Sequence, residues 1–321
     1  MTQIKPLSSM ETPRFADVAT FFRLPVVKDL NKLDYCIAGV PWDGGTTNRP
    51  GARHGPREIR NASSLVRLYH PVSLKSPYDK FNIADIGDCP VNPADLNDSL
   101  DKIEKFYSNI YNSKTIPLSI GGDHLISLPI LRGIAKEKPI GLFQFDSHSD
   151  TWDTYFGGFK YTHGTPFRRA IEENLIDPKK YVILGLRGAL YDPEDLSWAR
   201  EQGVTIITID DYYEMGFNKC IEKIYEVLVH TDTYFTFDID GIDPTFAPGT
   251  GTPEVGGFNV REAQTIIRAL NKINFVGGDV VEVSPPFDVN NMTSLVAATI
   301  AFEMLCTCLL YTSDAADECS G

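Results

Sequence analysis

Several features that would mark a chain as secreted, stapled or membrane-bound are missing from this one. Six cysteines (Cys36, Cys89, Cys220, Cys306, Cys308 and Cys319) are scattered over 321 residues with no CxxC pair. That spacing excludes a compact disulfide framework and a zinc-ribbon pattern, and it reads as free thiols in a reducing, cytoplasmic compartment. The first residues, MTQIKPLSSMETPRF, contain no apolar core of a secretory signal. The longest apolar stretch, Leu295 to Leu310, is broken by Glu303. It falls short of the ~20 residues of a spanning helix and is expected to be a buried one. Basic residues are outnumbered, 30 against 43 acidic, for a net charge of −13. Such a surface disfavours nucleic acid and anionic membrane as partners, so neither is expected.

No internal repeat or low-complexity linker divides the chain. From Cys308 the sequence reads CLLYTSDAADE, which resembles a translated sequencing adapter. The expectation is one domain over residues 1–307 and a non-native tail over 308–321. Short β-rich runs alternate with helical patterns from about Leu33 onward. The expected strands are Leu33–Gly39, Thr115–Ile120, Ile140–Phe145, Tyr181–Leu186, Val204–Ile209, Tyr234–Ile239 and Val276–Val283. Many are continuously apolar, as parallel strands covered on both faces are. Leu96, Leu100, Ile103, Tyr107 and Ile110 recur at helical spacing, with Asn92-Pro93 as the start signal. Asn259 and Glu262 have the spacing of a capping box. The alternation predicts an α/β fold, a three-layer α/β/α sandwich with a central parallel sheet. Ligands of such sheets bind beyond the carboxyl ends of the strands.

Polar residues collect at those ends. Gly121-Gly122-Asp123-His124 follows one expected strand, and Asp146, His148 and Asp150 follow another. Asp238 and Asp240 end a third, and Glu282 lies in the last. Residues two apart in extended backbone point to one side, so Asp146, His148 and Asp150 can converge, as can Asp238 and Asp240. Four buried carboxylates would repel one another and raise their pKa values. Two divalent cations would neutralise them, in an arrangement that recurs among hydrolases. Taken singly, GGDH is more often a loop with a capping aspartate, and DxDxxDP is often a turn. Their joint placement, with three of only six histidines (His124, His148 and His163) inside the motifs, favours a metal centre.

The strings SIGGDHL, FDSHSD, YTHGTPFRRA, TFDIDGIDPTFAPGTGTPE and DVVEVSPPFD together resemble the agmatinase–arginase (ureohydrolase) family, over about Arg14 to Leu305. The resemblance implies hydrolysis of a guanidino compound to urea and an amine at two Mn2+ ions. The ligands it implies are His124, Asp146, His148, Asp150, Asp238 and Asp240. It implies His163 as proton shuttle, Asp150 as hydrogen-bond acceptor for the attacking water, and Glu282 as the partner of the guanidinium. Metal coordination lowers the pKa of water towards ~7, which suits a poor electrophile such as guanidinium. WDGGTTNRPGARHGPREIRN is most similar to family members acting on 3-guanidinopropionate, then on 4-guanidinobutyrate. The implied product pair is therefore β-alanine and urea, with agmatine or 4-guanidinobutyrate as alternative substrates. A homotrimer or homohexamer is also implied.

Three positions depart from the family pattern. Ser147 replaces Ala and Thr236 replaces Ser, with little effect expected because neither is a ligand. Trp152 stands where relatives carry a small polar residue. Trp152 and Tyr155 are candidates for gauging the distal end of the substrate, with surface packing as the plain alternative. Arg49, Arg53 and Arg57 are candidates for holding a carboxylate or a neighbouring subunit. A catalytically silent metal-binding subunit is the rival from another class. It would be expected to lack a ligand, His163 or Glu282, and all are present.

Overall fold

The computed structural model describes residues 3–318, with side chains through Thr307. The tail read above as non-native, 308–321, therefore lies outside the described side chains. Eight strands form one sheet: β1 (Tyr35–Val40), β2 (Ile83–Asp88), β3 (Ile116–Gly121), β4 (Ile140–Phe145), β5 (Ile176–Leu186), β6 (Thr205–Thr208), β7 (Asp232–Asp238) and β8 (Asn274–Val281). Their spatial order is β2-β1-β3-β8-β7-β4-β5-β6, and every pairing is parallel. All six residues of β1 and all six of β4 are buried, which is why these runs are apolar without alternation. Helices cover both faces, as expected. One core joins Phe143, Phe145, Phe235 and Phe237 to Ile266, Ala297 and Ala301. The other joins Leu142, Ile183 and Tyr234 to Leu100, Ile103 and Leu131.

The helix over Leu96–Asn112 buries Leu100, Ile103, Tyr107 and Ile110. Its N-cap is Asp95, which accepts from the Asp98 N–H, rather than Asn92. Asn92 instead makes the preceding turn, donating its amide to Asp98 and its backbone N–H to Ser99 Oγ. Asn259 and Glu262 do form a capping box, at 2.9 Å each way. The apolar run near the end is a helix beginning at Met292. Glu303, which interrupts that run, is a buried carboxylate paired with Arg268, Gln264 and His70. No helix among the described residues is long and apolar enough to cross a membrane.

Register sets up the site. Phe145 pairs with Phe237, and Phe237 with Val280, so β4, β7 and β8 end at one level. The rings of Phe145 and Phe237 stack 4.5 Å apart at 7°. The next residues, Asp146 and Asp238, consequently emerge side by side from the centre of the sheet. β3 lies on the other side of β8 and delivers the Gly121–His124 turn to the same edge. Gly122 is needed there, because a Cβ on it would fall 1.8 Å from the Trp42 carbonyl oxygen.

Candidate metal centre and substrate cavity

Six of the residues singled out in the sequence meet beyond β3, β7 and β4. His124 Nδ1 lies 2.8 Å from Asp150 Oδ2 and 3.2 Å from both Asp146 Oδ2 and Asp238 Oδ2. His148 Nδ1 lies 3.0 Å from Asp240 Oδ2 and 3.7 Å from Asp146 Oδ1. Two donor groups result, His124 with Asp146 and Asp150, and His148 with Asp146 and Asp240, each able to hold a metal ion. Asp146 belongs to both. The route to this convergence differs from simple extended alternation. Asp150 has φ +51°, a left-handed conformation that turns its carboxylate back towards His124. Asp240 sits in the single turn Ile239–Gly241 after β7, where Asp238 accepts from its N–H.

The donor chemistry fits a cation. Tyr234, Thr236 and Ser127 all donate their hydroxyls to Asp279, at 2.6–2.8 Å. With its proton committed to Asp279, Thr236 Oγ1 can only accept from His124 Nε2, 2.7 Å away. The Nδ1 atom of His124 faces three carboxylate oxygens and is buried with no well-aligned hydrogen-bond partner. Such donors at these distances need a positive charge between them. Burial lowers the His124 pKa, but the three carboxylates push it well above the usual range. Without metal that charge is therefore a proton, and a metal ion would take its place on the neutral ring. Donors ~2.1 Å from a shared ion and at right angles would stand about 3 Å apart.

Electrostatics agree. Burial, and then the charge of Asp146, push Asp150 up to about 6. Burial, with Asp240 and Asp146, pushes Asp238 well above the carboxylate range. Asp146 goes the other way: burial raises it most, but the imidazoles of His124 and His148 outweigh that and hold it low. Because Asp150 holds a proton below about pH 6, a metal must displace it there. Apparent Mn2+ affinity is accordingly expected to fall as pH drops from 7.5 to 5, by up to about tenfold per unit below 6. Thermal shift against Mn2+ concentration at each pH measures it, and an affinity constant over that range would refute the assignment.

Glu282 lies one residue beyond β8 rather than within it, at φ +64°. Its Oε1 accepts from the His124 N–H at 2.8 Å and from His163 Nδ1 at 2.9 Å. The other nitrogen of His163, Nε2, accepts from the Thr47 N–H at 3.1 Å and lies 2.7 Å from Thr47 Oγ1. Burial is the largest influence on His163 and lowers its pKa, but Glu282, with Asp123 and Asp150, pushes it up to about 9. Thr47 opposes them, since an N–H donor requires a bare Nε2 and so favours the neutral ring.

A cavity of about 520 Å3 opens over His148, Asp150 and Asp238, with His163 in its wall. Trp152, Tyr155 and Tyr191 form an aromatic rim, Trp152 standing edge-on to the other two at 6.1 and 5.6 Å. Arg187 also lines it, but its guanidinium donates to the carbonyls of Gly185, Asp240, Gly241, Ile242 and Glu254. The three loop arginines lie elsewhere. Arg49 donates to the Thr250 and Gly251 carbonyls, Arg53 pairs with buried Asp43, and Arg57 is exposed.

Residues 33–306 match the model of the arginase family. The chain belongs to the arginase family. It is 54% identical over 302 residues to a guanidinopropionase of Pseudomonas aeruginosa, covering 94% of this chain and 95% of that one. It is 44% identical to a guanidinobutyrase of the same organism, covering 94% and 96%. Among solved structures it resembles proclavaminate amidino hydrolase from Streptomyces clavuligerus, with a TM-score of 0.90, 38% identity, and 94% and 100% coverage. The arginase family is one of binuclear metal enzymes, and the two donor groups around Asp146 are where this member could hold its ions.

Several contacts around the centre are not visible in the motifs. Thr236, expected to matter little, braces His124, and Ser147 donates its hydroxyl to Asp240 Oδ1 at 2.6 Å. Gln144, two residues before Asp146 on β4, donates to Asp146 Oδ2 at 2.7 Å and is itself fixed by Tyr181. A hydrophobic-moment or spacing signal cannot find such residues; a polar side chain within a fully buried strand is the clue. Thr236→Val keeps the shape but removes the acceptor for His124. It is expected to weaken metal binding by about 10–100-fold, with Thr236→Ser close to the parent. Titration of the metal-free variants with Mn2+ measures this, and unchanged affinity in Thr236→Val would refute the bracing role.

Proposed function

We propose that this arginase-family guanidino hydrolase cleaves 3-guanidinopropionate to β-alanine and urea, using two Mn2+ ions. The observation carrying the substrate is the 54% identity to a guanidinopropionase over 94% of the chain. Thiolate-free, carboxylate-rich donors suit Mn2+. In this reading His124, Asp146, His148, Asp150, Asp238 and Asp240 are the ligands. When bound, the metals supply an activated water at neutral pH and offset the carboxylate charge.

The remaining chemistry falls to the chain. Glu282 keeps Oε1 on His163 and the His124 N–H, and its Oε2 is left to take the guanidinium by a charge-assisted bond. Asp150, in the cavity wall, accepts a hydrogen bond from the attacking water and so aims it. His163 holds the proton that the departing amine needs. Trp152 and Tyr155 bound the distal end of the cavity and limit substrate length. The domain is 1–307, the assembly a homotrimer or homohexamer as the family resemblance implies, and the compartment the cytoplasm.

One observation favours a second substrate, agmatine. Besides the metal-centre aspartates, the acids in the cavity wall are Asp195 and Glu254, while the donors of Arg187 are committed to carbonyls. Such a wall would welcome a distal ammonium. Urea release by Mn-loaded protein, measured in parallel on 3-guanidinopropionate, 4-guanidinobutyrate, agmatine, arginine and guanidine, decides between them. A preference for 3-guanidinopropionate that shifts in Tyr155→Phe supports the first reading. A preference for agmatine replaces it, and no urea with two metals bound points to the silent metal-binding subunit.

A further inference from the structure

Both ring nitrogens of His163 are engaged. Nδ1 is 2.9 Å from Glu282 Oε1, and Nε2 takes the Thr47 N–H at 3.1 Å with Thr47 Oγ1 at 2.7 Å. A backbone N–H can only donate, so Nε2 carries the lone pair and Nδ1 the proton of the neutral ring. No nitrogen of this imidazole is left to meet a substrate directly. A hydroxyl 2.7 Å from its Nε2, Thr47 Oγ1, belongs to a residue that lines the cavity.

Thr47 is held there by a braced loop. Asp43 accepts from the Gly51 and Arg53 N–H groups and pairs with the Arg53 guanidinium. The Gly45 N–H donates to buried Asp123 at 2.6 Å, and the Gly45 carbonyl accepts from the His163 N–H at 2.9 Å. Arg49 ties the far side of the loop to the Thr250 and Gly251 carbonyls. The loop thus fixes His163 through its backbone and its ring together.

We propose that the Thr47 hydroxyl relays the proton between His163 Nε2 and the departing amine, while the Thr47 N–H fixes which ring nitrogen takes part. The inference rests on His163 as the proton shuttle. In the relay, the Nε2–H bond of the charged ring breaks and its proton joins Thr47 Oγ1. The Oγ1–H bond breaks in concert and that proton joins the amine nitrogen. Hydroxyl and count of protons are restored, the ring ends neutral, and the Thr47 N–H again finds a bare acceptor.

Thr47→Val keeps the backbone N–H and most of the volume but removes the hydroxyl, and Thr47→Ser keeps the hydroxyl. Thr47→Val is expected to lower kcat by about 10-fold or more at unchanged metal content, and to move the pH profile of kcat. Thr47→Ser should stay within about 3-fold of the parent, a small fraction of the range open to acid–base catalysis. Three results overturn the relay: a Thr47→Val kcat equal to the parent, a raised KM with kcat intact (a wall residue), or equal losses in Thr47→Val and Thr47→Ser. If Thr47→Val does not fold, Thr47→Ala is read against Thr47→Ser by the same criteria. His163→Asn, measured alongside, separates the two levels. Parent-like kcat in His163→Asn overturns the shuttle and the relay together, whereas a loss there with none in Thr47→Val overturns the relay alone.

Discussion

Replacing Asp146 by asparagine is expected to empty the metal centre and cut urea release by about 100-fold or more. Its two oxygens face different imidazoles, Oδ2 at 3.2 Å from His124 Nδ1 and Oδ1 at 3.7 Å from His148 Nδ1. Asp146 is the member common to both donor groups, so one substitution weakens both. Loss of a residue merely supporting a ligand already costs 10–100-fold in affinity, so loss of a shared ligand should cost more. Without metal two effects oppose each other: Asp150 and Asp238 lose a neighbouring charge that pushes them up, while the imidazoles of His124 and His148 lose the carboxylate they hold ionised. Metal at 100 times its Kd would stabilise the parent by about 2.7 kcal/mol. Melting curves with and without Mn2+ test this: the parent should rise strongly with metal and the variant little. Two metals bound at parental affinity in Asp146→Asn would sink the shared-ligand assignment.

Much of the fold follows from residues whose constraint is local. Tyr35–Val40 and Ile140–Phe145 are buried on both faces, so every position is apolar and the strand is plain to read. β2, Ile83–Asp88, was not among the expected strands. It lies at the sheet edge, contains Gly87 at φ +84°, and ends in half-buried and exposed residues, so its pattern resembles a turn. Asn92-Pro93 precedes the Leu96–Asn112 helix, as expected, while the cap itself is Asp95, whose carboxylate lies nearer the first turn.

At the site, the aspartates and histidines stand out because each follows a strand and few histidines occur elsewhere. What supports them does not. Thr236 and Asp279 occupy strand positions where a polar residue suggests a solvent face, yet both are fully buried beneath His124. Tyr191 reaches the rim from a loop beyond β5, far along the chain from the metal motif, and nothing in its local sequence predicts that it will meet Trp152. Thr47 meets His163 across 116 positions of sequence. These are consequences of packing, and spacing along the chain carries no record of them.

His163→Asn is expected to lower kcat by about 10²–10⁴-fold while both metals stay bound. None of the ring's hydrogen bonds goes to the six residues proposed as ligands; its partners are Glu282 and Thr47. Glu282 keeps its bond from the His124 N–H in the variant, so the carboxylate proposed to take the guanidinium stays anchored. The loss should consequently appear in kcat more than in KM, the mark of an interaction needed for the chemical step. It should also be pH-dependent. Burial and the Thr47 N–H favour the neutral ring while the carboxylate neighbours push His163 up to about 9, so the charged ring that delivers the proton is depleted as pH rises towards and through 9. Parent and variant should then converge at the alkaline end of the profile as the parent loses its acid. Metal analysis of the purified variant separates the outcomes. Lost metal would make His163 a structural support of the centre, and parental kcat with metal bound would assign the proton to another group.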